Sequence, residues 1–337
     1  MHRPCAALAA LLAFAWLSSN AAAAPKLILA TALPSDNPLA VQVLVPWAKR
    51  VNEDARGALE IDIRNGMAIA NLRNSYDRVV ANVAQISWLT HGTFAGKFPR
   101  SEVGGLPFLA DKAEEASVAM WRLYASGALD PEYKDVKPIS MAVLSQAGIH
   151  LRTAPKSLND LKGLKAIVAT KEIGQVVSQL GIAQTSLPVT DAYEALQRGT
   201  VDGLVLGWTA IQSFQLQEVT TYHANTSLGS ATGMLFISRQ AYNALPPEAR
   251  KVIDDHSGEQ ESRALGKFWD QLDALGIKRV SAMSGQTVMN VPKDIEAKWR
   301  ALAQPVIEAW ARATPDGEKV LGIFRDQLAK VKSEAGG

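Results

Sequence analysis

The chain has 337 residues, 47% of them apolar, with 35 basic against 33 acidic side chains. That apolar content supplies two cores at ordinary domain sizes and argues against disorder, and the near-neutral balance gives no electrostatic reason to expect nucleic acid or a membrane surface as partner. A single cysteine, Cys5, excludes a disulfide framework and a cysteine-ligated metal site.

In chain order, the first segment reads as an export signal. His2 and Arg3 give a basic start, Ala6–Trp16 is an apolar run of 11 residues, and Ala21–Ala24 follows with small side chains. The run is too short to cross a bilayer, which takes roughly 20 residues. Cleavage is expected after Ala23, so residues 1–23 are a signal peptide and the mature chain is periplasmic. Cys5 precedes the apolar run, where it cannot serve as a lipid anchor, so the mature chain is expected to lack cysteine. Removing Arg3 leaves 34 basic residues (35 less one) against 33 acidic.

Short apolar runs then alternate with helical patterns. Strands are expected at 26–33, 59–64, 85–90, 138–145, 164–169, 203–207, 234–238 and 277–282. Helices are expected at 38–56, 74–83, 112–124, 190–198 and 209–217. Strands separated by helices predict parallel α/β sheets. Asn37-Pro38 caps the first helix, Gly57 ends it, and Pro46 is expected to kink it. Apolar residues recur at helical spacing from Pro247 to Leu275, with Gly276 as the stop. A rod of that length, roughly 43 Å at 1.5 Å per residue, is long enough to brace two lobes; a long surface helix is the plainer alternative.

Enzyme signatures are absent from the sequence: no Gly-x-Ser-x-Gly elbow, no His-Glu-x-x-His, no phosphate loop and no dinucleotide fingerprint. His91, His150, His223 and His256 show no metal-ligand spacing. No catalytic residue, metal or cofactor is therefore expected.

Four pieces between Leu144 and Tyr222 carry a family resemblance. They are Leu-Ser-Gln-Ala-Gly-Ile-His-Leu-Arg at 144–152, Asn-Asp-Leu-Lys-Gly-Leu-Lys at 159–165, Asp-Ala-Tyr-Glu-Ala-Leu-Gln-Arg-Gly-Thr-Val-Asp-Gly at 191–203 and Gln-Glu-Val-Thr-Thr-Tyr at 217–222. In this order and spacing they resemble the solute-binding subunits of tripartite, ATP-independent (TRAP) transporters of the DctP type. Weaker matches include Leu106-Pro-Phe-Leu and Leu245-Pro-Pro-Glu-Ala-Arg. The resemblance implies an α/β, two-lobed periplasmic binding protein fold with crossing strands. Lobe I is expected to hold 24–148 plus 230–272, and lobe II 149–229 plus 273–337. It also implies capture of a small organic carboxylate by lobe closure and delivery to integral membrane TRAP permease subunits. The rival reading is a periplasmic hydrolase or isomerase acting on a small acid; a ligand sensor with the same fold is a third.

The family grips a carboxylate with an arginine on the strand after Lys-Gly-Leu-Lys, where this chain has Ile167. Arg152 matches a second substrate-contacting arginine of some relatives and is the expected anchor, with Lys171 as the replacement cation. A guanidinium would meet a carboxylate through two parallel hydrogen bonds. Leu206 and Trp208, with Trp88, are expected to cover an apolar ligand body, and Thr31, His91 and Thr170 to complete the hydrogen bonding. The lost arginine and the apolar Leu204–Trp208 stretch point to a monocarboxylate with an apolar or aromatic body.

Overall fold

The computed structural model describes residues 24–335 apart from 160 and 186; the expected signal peptide lies outside them. Eleven strands form two sheets: β1 (Lys26–Thr31), β2 (Glu60–Asn65), β3 (Ile86–Thr90), β4 (Val136–Val143), β5 (Gly148–Leu151), β6 (Lys165–Val168), β7 (Ala183–Thr185), β8 (Gly203–Leu206), β9 (Tyr222–Asn225), β10 (Thr232–Ser238) and β11 (Thr287–Asn290). The lobe I sheet has the order β2-β1-β3-β10-β4, and the lobe II sheet β11-β9-β5-β8-β6-β7. β1, β2 and β3 run parallel, as do β6, β7 and β8, while β10 is antiparallel to both its neighbours and β5 to both of its own. Helices cover both faces, which is why β4 and β10 are buried almost throughout and read as apolar runs rather than alternations.

The helices are α1 (Val45–Ala55), α2 (Ser75–Val80), α3 (Ala113–Ala125), α4 (Lys171–Gln179), α5 (Ala192–Gln197), α6 (Trp208–Ser213), α7 (Arg239–Ala244), α8 (Pro247–Asp255), α9 (Glu259–Ser281), α10 (Lys293–Ala313) and α11 (Gly317–Ala335). A π-helical turn, Ala40–Leu44, precedes α1 and leaves Pro46 in that helix's first turn, where a missing N–H costs little.

Two chain segments cross between the lobes side by side. The Leu144 N–H donates to the Ala231 carbonyl at 2.9 Å, Ala147 N–H to Gly229 at 2.8 Å, and Leu228 N–H to Ala147 at 3.1 Å. The Gly105–Phe108 turn lies along them: Ser230 N–H donates to Gly105 O at 3.0 Å and Phe108 N–H to Ser227 O at 2.8 Å. A Cβ on Gly105 would stand 2.1 Å from the Ser230 carbonyl oxygen, so only glycine permits this approach.

The expected rod over 247–275 is two helices. Gly258 takes φ 116°, and its N–H leaves the helix to bind Ile139 O at 2.8 Å, separating α8 from α9. α9 then runs through Gly276, and the expected strand at 277–282 is its last turn: Ile277 and Val280 lie on the packed face of a helix. α9 reaches both lobes. Gly266 touches the backbone of Ala113 and Glu114, and Gly276 lies against Gln212 and Trp208.

The expected lobe boundaries need two corrections. α10 packs on α4 and in the lobe II core through Trp299 and Ala303, but its end places Ile307, Trp310 and Ala311 in the lobe I core, and α11 follows onto α3 with Val320, Phe324 and Leu328. Phe108, from the lobe I part of the sequence, is buried in the lobe II core with Ala147, Ile149 and Ile173. Both exchanges occur because a core accepts any apolar side chain that fills it, whatever its place in the chain.

Candidate functional site

Between the lobes lies a cavity of about 800 Å³. Lobe I contributes Thr90 at the end of β3, the turn Gly92–Gly96, Pro99 and Glu102. Lobe II contributes Ala169–Glu172 and Gln175. The crossing segment supplies Ser230–Thr232, and the end of α10 supplies Ala309, Trp310, Ala313 and Thr314. The site thus sits beyond the carboxyl ends of parallel strands, where open α/β sheets place ligands.

The lobe II wall is built for an anion. Thr170 is extended, and its hydroxyl caps α4 by accepting from Ile173 N–H at 3.3 Å. The N–H groups of Lys171 and Glu172 are in the first turn, where an α-helix leaves donors without internal partners, at the positive end of its dipole. Lys171 also lines the cavity and brings its one cationic side chain among the described residues. Trp310, Ala309, Ala313, Ala95 and Pro99 add apolar groups to the cavity lining. The Trp310 Nε1 is buried without a hydrogen-bond partner.

A buried polar chain supports the lobe I wall. Glu132 accepts from the Ser101 hydroxyl at 2.6 Å, and Ser101 Oγ lies 2.7 Å from the Tyr133 hydroxyl. That hydroxyl lies 3.0 Å from His91 Nε2, and His91 Nδ1 lies 2.9 Å from the hydroxyl of Thr232, which lines the cavity. Burial pushes the His91 imidazole down to about 3, so it stays neutral and fixes Thr232 by hydrogen bonding rather than by charge.

The family model described as bacterial extracellular solute-binding protein, family 7 (DctP) matches residues 29–313. The chain belongs to this family. A TRAP solute-binding protein from Rhodoferax ferrireducens T118, solved with copurified benzoate, superposes with a TM-score of 0.83 at 29% identity, covering 92% of this chain and 99% of its own. A marine metagenome TRAP solute-binding protein specific for aromatic acid ligands, solved with 3-hydroxybenzoate, gives a TM-score of 0.82 at 25% identity, covering 91% and 99%. The outer membrane transporter protein TsaT of Comamonas testosteroni is 25% identical over 315 residues, 90% of this chain and 91% of its own length.

Within this family 7 frame, the cavity brings together two of the eight side chains singled out from sequence, Thr170 and Lys171. Arg152 does not face it. β5 runs antiparallel to β8, so the residue after Leu151 lies at the strand ends away from the cavity; its N–H binds Asp202 O at 2.9 Å and its guanidinium lies over Gly199. Trp208 is buried, donates from Nε1 to Asn225 Oδ1 at 2.8 Å, and packs edge-on against His150 and at a tilt against His223. Leu206 packs in the same core as Trp208 and Ile167. Trp88 is buried on the outer face of the lobe I sheet against Trp269. Thr31 shares the cleft edge of that sheet, but its hydroxyl is buried, accepting from Leu33 N–H at 3.1 Å. His91 stands behind the wall rather than in it.

The side chains that replace them carry no motif. Thr90, Glu102, Gln175 and Trp310 come from four separate segments, and no sequence signal links them.

Proposed function

We propose that this chain is the periplasmic solute-binding subunit of a TRAP-type uptake system, that it captures an aromatic monocarboxylate, and that it has no catalytic activity. The observation that carries this reading is the interlobe cavity, lined both by Lys171 at the open amino end of α4 and by Trp310. A carboxylate meets the cation and the first-turn N–H groups, and a ring gains about 25 cal/mol per Å² of apolar surface removed from water. The aromatic acids bound by the Rhodoferax and metagenome relatives agree with that chemistry. Closure is stabilised only by contacts absent from the open form, so the ligand holds the lobes together by touching both walls. The closed form then docks on integral membrane permease subunits, a partner the family membership supports.

Calorimetry of the chain from residue 24 against benzoate, 3-hydroxybenzoate and succinate tests this. Benzoate or its hydroxy derivative is expected to bind most tightly and to be recovered unchanged. Tighter binding of succinate than of every aromatic acid would overturn the ligand class, and turnover of the bound acid would overturn the transport role.

A further inference from the structure

Three charged side chains line the cavity: Lys171, Glu102 and Glu172. With both acids ionised the wall is net negative by one charge, which is unfavourable for an anionic ligand. Glu102 belongs to the lobe I turn Ser101–Gly105, while Lys171 and Glu172 come from α4 across the cleft. Among the described residues the Glu102 carboxyl has no hydrogen-bond donor of its own, unlike Glu132 behind it, which is held by the backbone N–H and the hydroxyl of Ser101.

The charges that reach Glu102 are Glu172 and Lys171 from α4 and Glu132 from the turn beneath. Arg100, two residues away, is engaged by Asp316 at 2.6 Å and by the Ala128 carbonyl at 3.0 Å. α3, β10, α11 and the turn His91–Thr93 also pack against it; their charges do not bear on Glu102, and His91 stays neutral. Burial, then the two neighbouring glutamates, push the Glu102 carboxyl up to about 7, with Lys171 opposing them.

We propose that Glu102 determines how this site accepts an anion: it takes up a proton as the ligand enters and donates it in a hydrogen bond to the ligand carboxylate. The proton comes from solvent and no covalent bond changes. Glu102 then removes the excess negative charge and becomes the donor that Ile167 cannot be. A charge-assisted O–H···O⁻ contact is among the short, strong hydrogen bonds. This proposal rests on the aromatic-carboxylate reading of the same cavity.

Benzoate is ionised throughout pH 6–9, so its own titration does not enter. If only the protonated cavity binds, affinity is level below about pH 7 and falls roughly tenfold per pH unit above it. Calorimetry at pH 8 in buffers of different ionisation heat is expected to show uptake of close to one proton per benzoate. Glu102→Gln keeps a neutral donor in place; it is expected to abolish both the slope and the uptake, and to bind about tenfold more tightly than wild type at pH 8. Affinity unchanged from pH 6 to 9 with no uptake would overturn the proposal. Uptake that persists in Glu102→Gln would also overturn it and move the proton to Asp273, a buried acid on α9 that is likewise pushed up to about 7. Absence of benzoate binding by folded wild type at every pH would instead fail the aromatic reading itself.

Discussion

The Nδ1 atoms of His150 and His223 face each other at 2.8 Å inside lobe II. Gln286 Nε2 donates to the carbonyls of Gln217 and Thr220, so its Oε1 accepts from His223 Nε2 at 2.9 Å. His223 Nδ1 is then an acceptor, and His150 carries its hydrogen on Nδ1. The Leu206 carbonyl, 3.1 Å from His150 Nε2, meets a lone pair unless a further proton arrives. Burial opposes that proton, lowering both imidazoles and His150 to about 3. Nitrogen-15 spectra are expected to show His150 as the Nδ1–H tautomer at pH 7; an Nε2–H signal for His150 would contradict the network.

The same burial makes stability pH-dependent. His91 and His150 both fall to about 3 when folded, well below their unfolded value near 6.5. The unfolded chain therefore binds more protons, and the stabilisation present above about pH 6.5 is lost as the pH falls. Each histidine contributes up to about 1.4 kcal/mol per pH unit in that window. Urea unfolding between pH 7 and 5 is expected to show a falling free energy, and His150→Asn a clearly shallower fall. A flat profile would mean that these imidazoles are charged in the fold.

Lys171→Ala is expected to weaken benzoate binding about tenfold, equivalent to ~1.4 kcal/mol, because the cavity then has no cationic side chain. Arg152→Ala is expected to leave affinity within about threefold of wild type. Calorimetry on both folded variants checks the pair, and the reverse ranking would return the anchor to Arg152.

Gly105→Ala tests the crossing. The added methyl group would collide with the Ser230 carbonyl rather than with a flexible side chain. Destabilisation of about 1–3 kcal/mol is expected from such overpacking, read as a lower urea midpoint at unchanged slope. Gly57→Ala meets no atom within 4 Å but sits at φ 89°, so its cost is backbone strain alone.

Much of the fold was legible because its signals are local. The apolar run around Phe236 and the alternation of Ile61 and Ile63 each declare a strand without reference to anything distant. The segment 277–282 misled because Ile277 and Val280 are three apart, a spacing that a few residues cannot assign to strand or helix, whereas α9 continues unbroken to Ser281. The site was mostly illegible for a different reason. Whether Arg152 faces the cavity depends on the direction of β5 relative to β8, and spacing in the sequence carries no sign of strand direction. Trp310 lies at the end of a helix that the sequence reading did not assign, and Thr90 and Gln175 are chemically unremarkable until the fold brings them together.

The return of α11 to lobe I bears on how the molecule is made. Phe324 and Leu328 complete a core whose earliest members, Ala30 and Ala70, are synthesised some 250 to 300 residues before them. The core of that lobe is complete only once α11 has been synthesised, long after its first strands. Contacts so distant in sequence make folding slow, and this core stays open in the nascent chain until α11 has emerged.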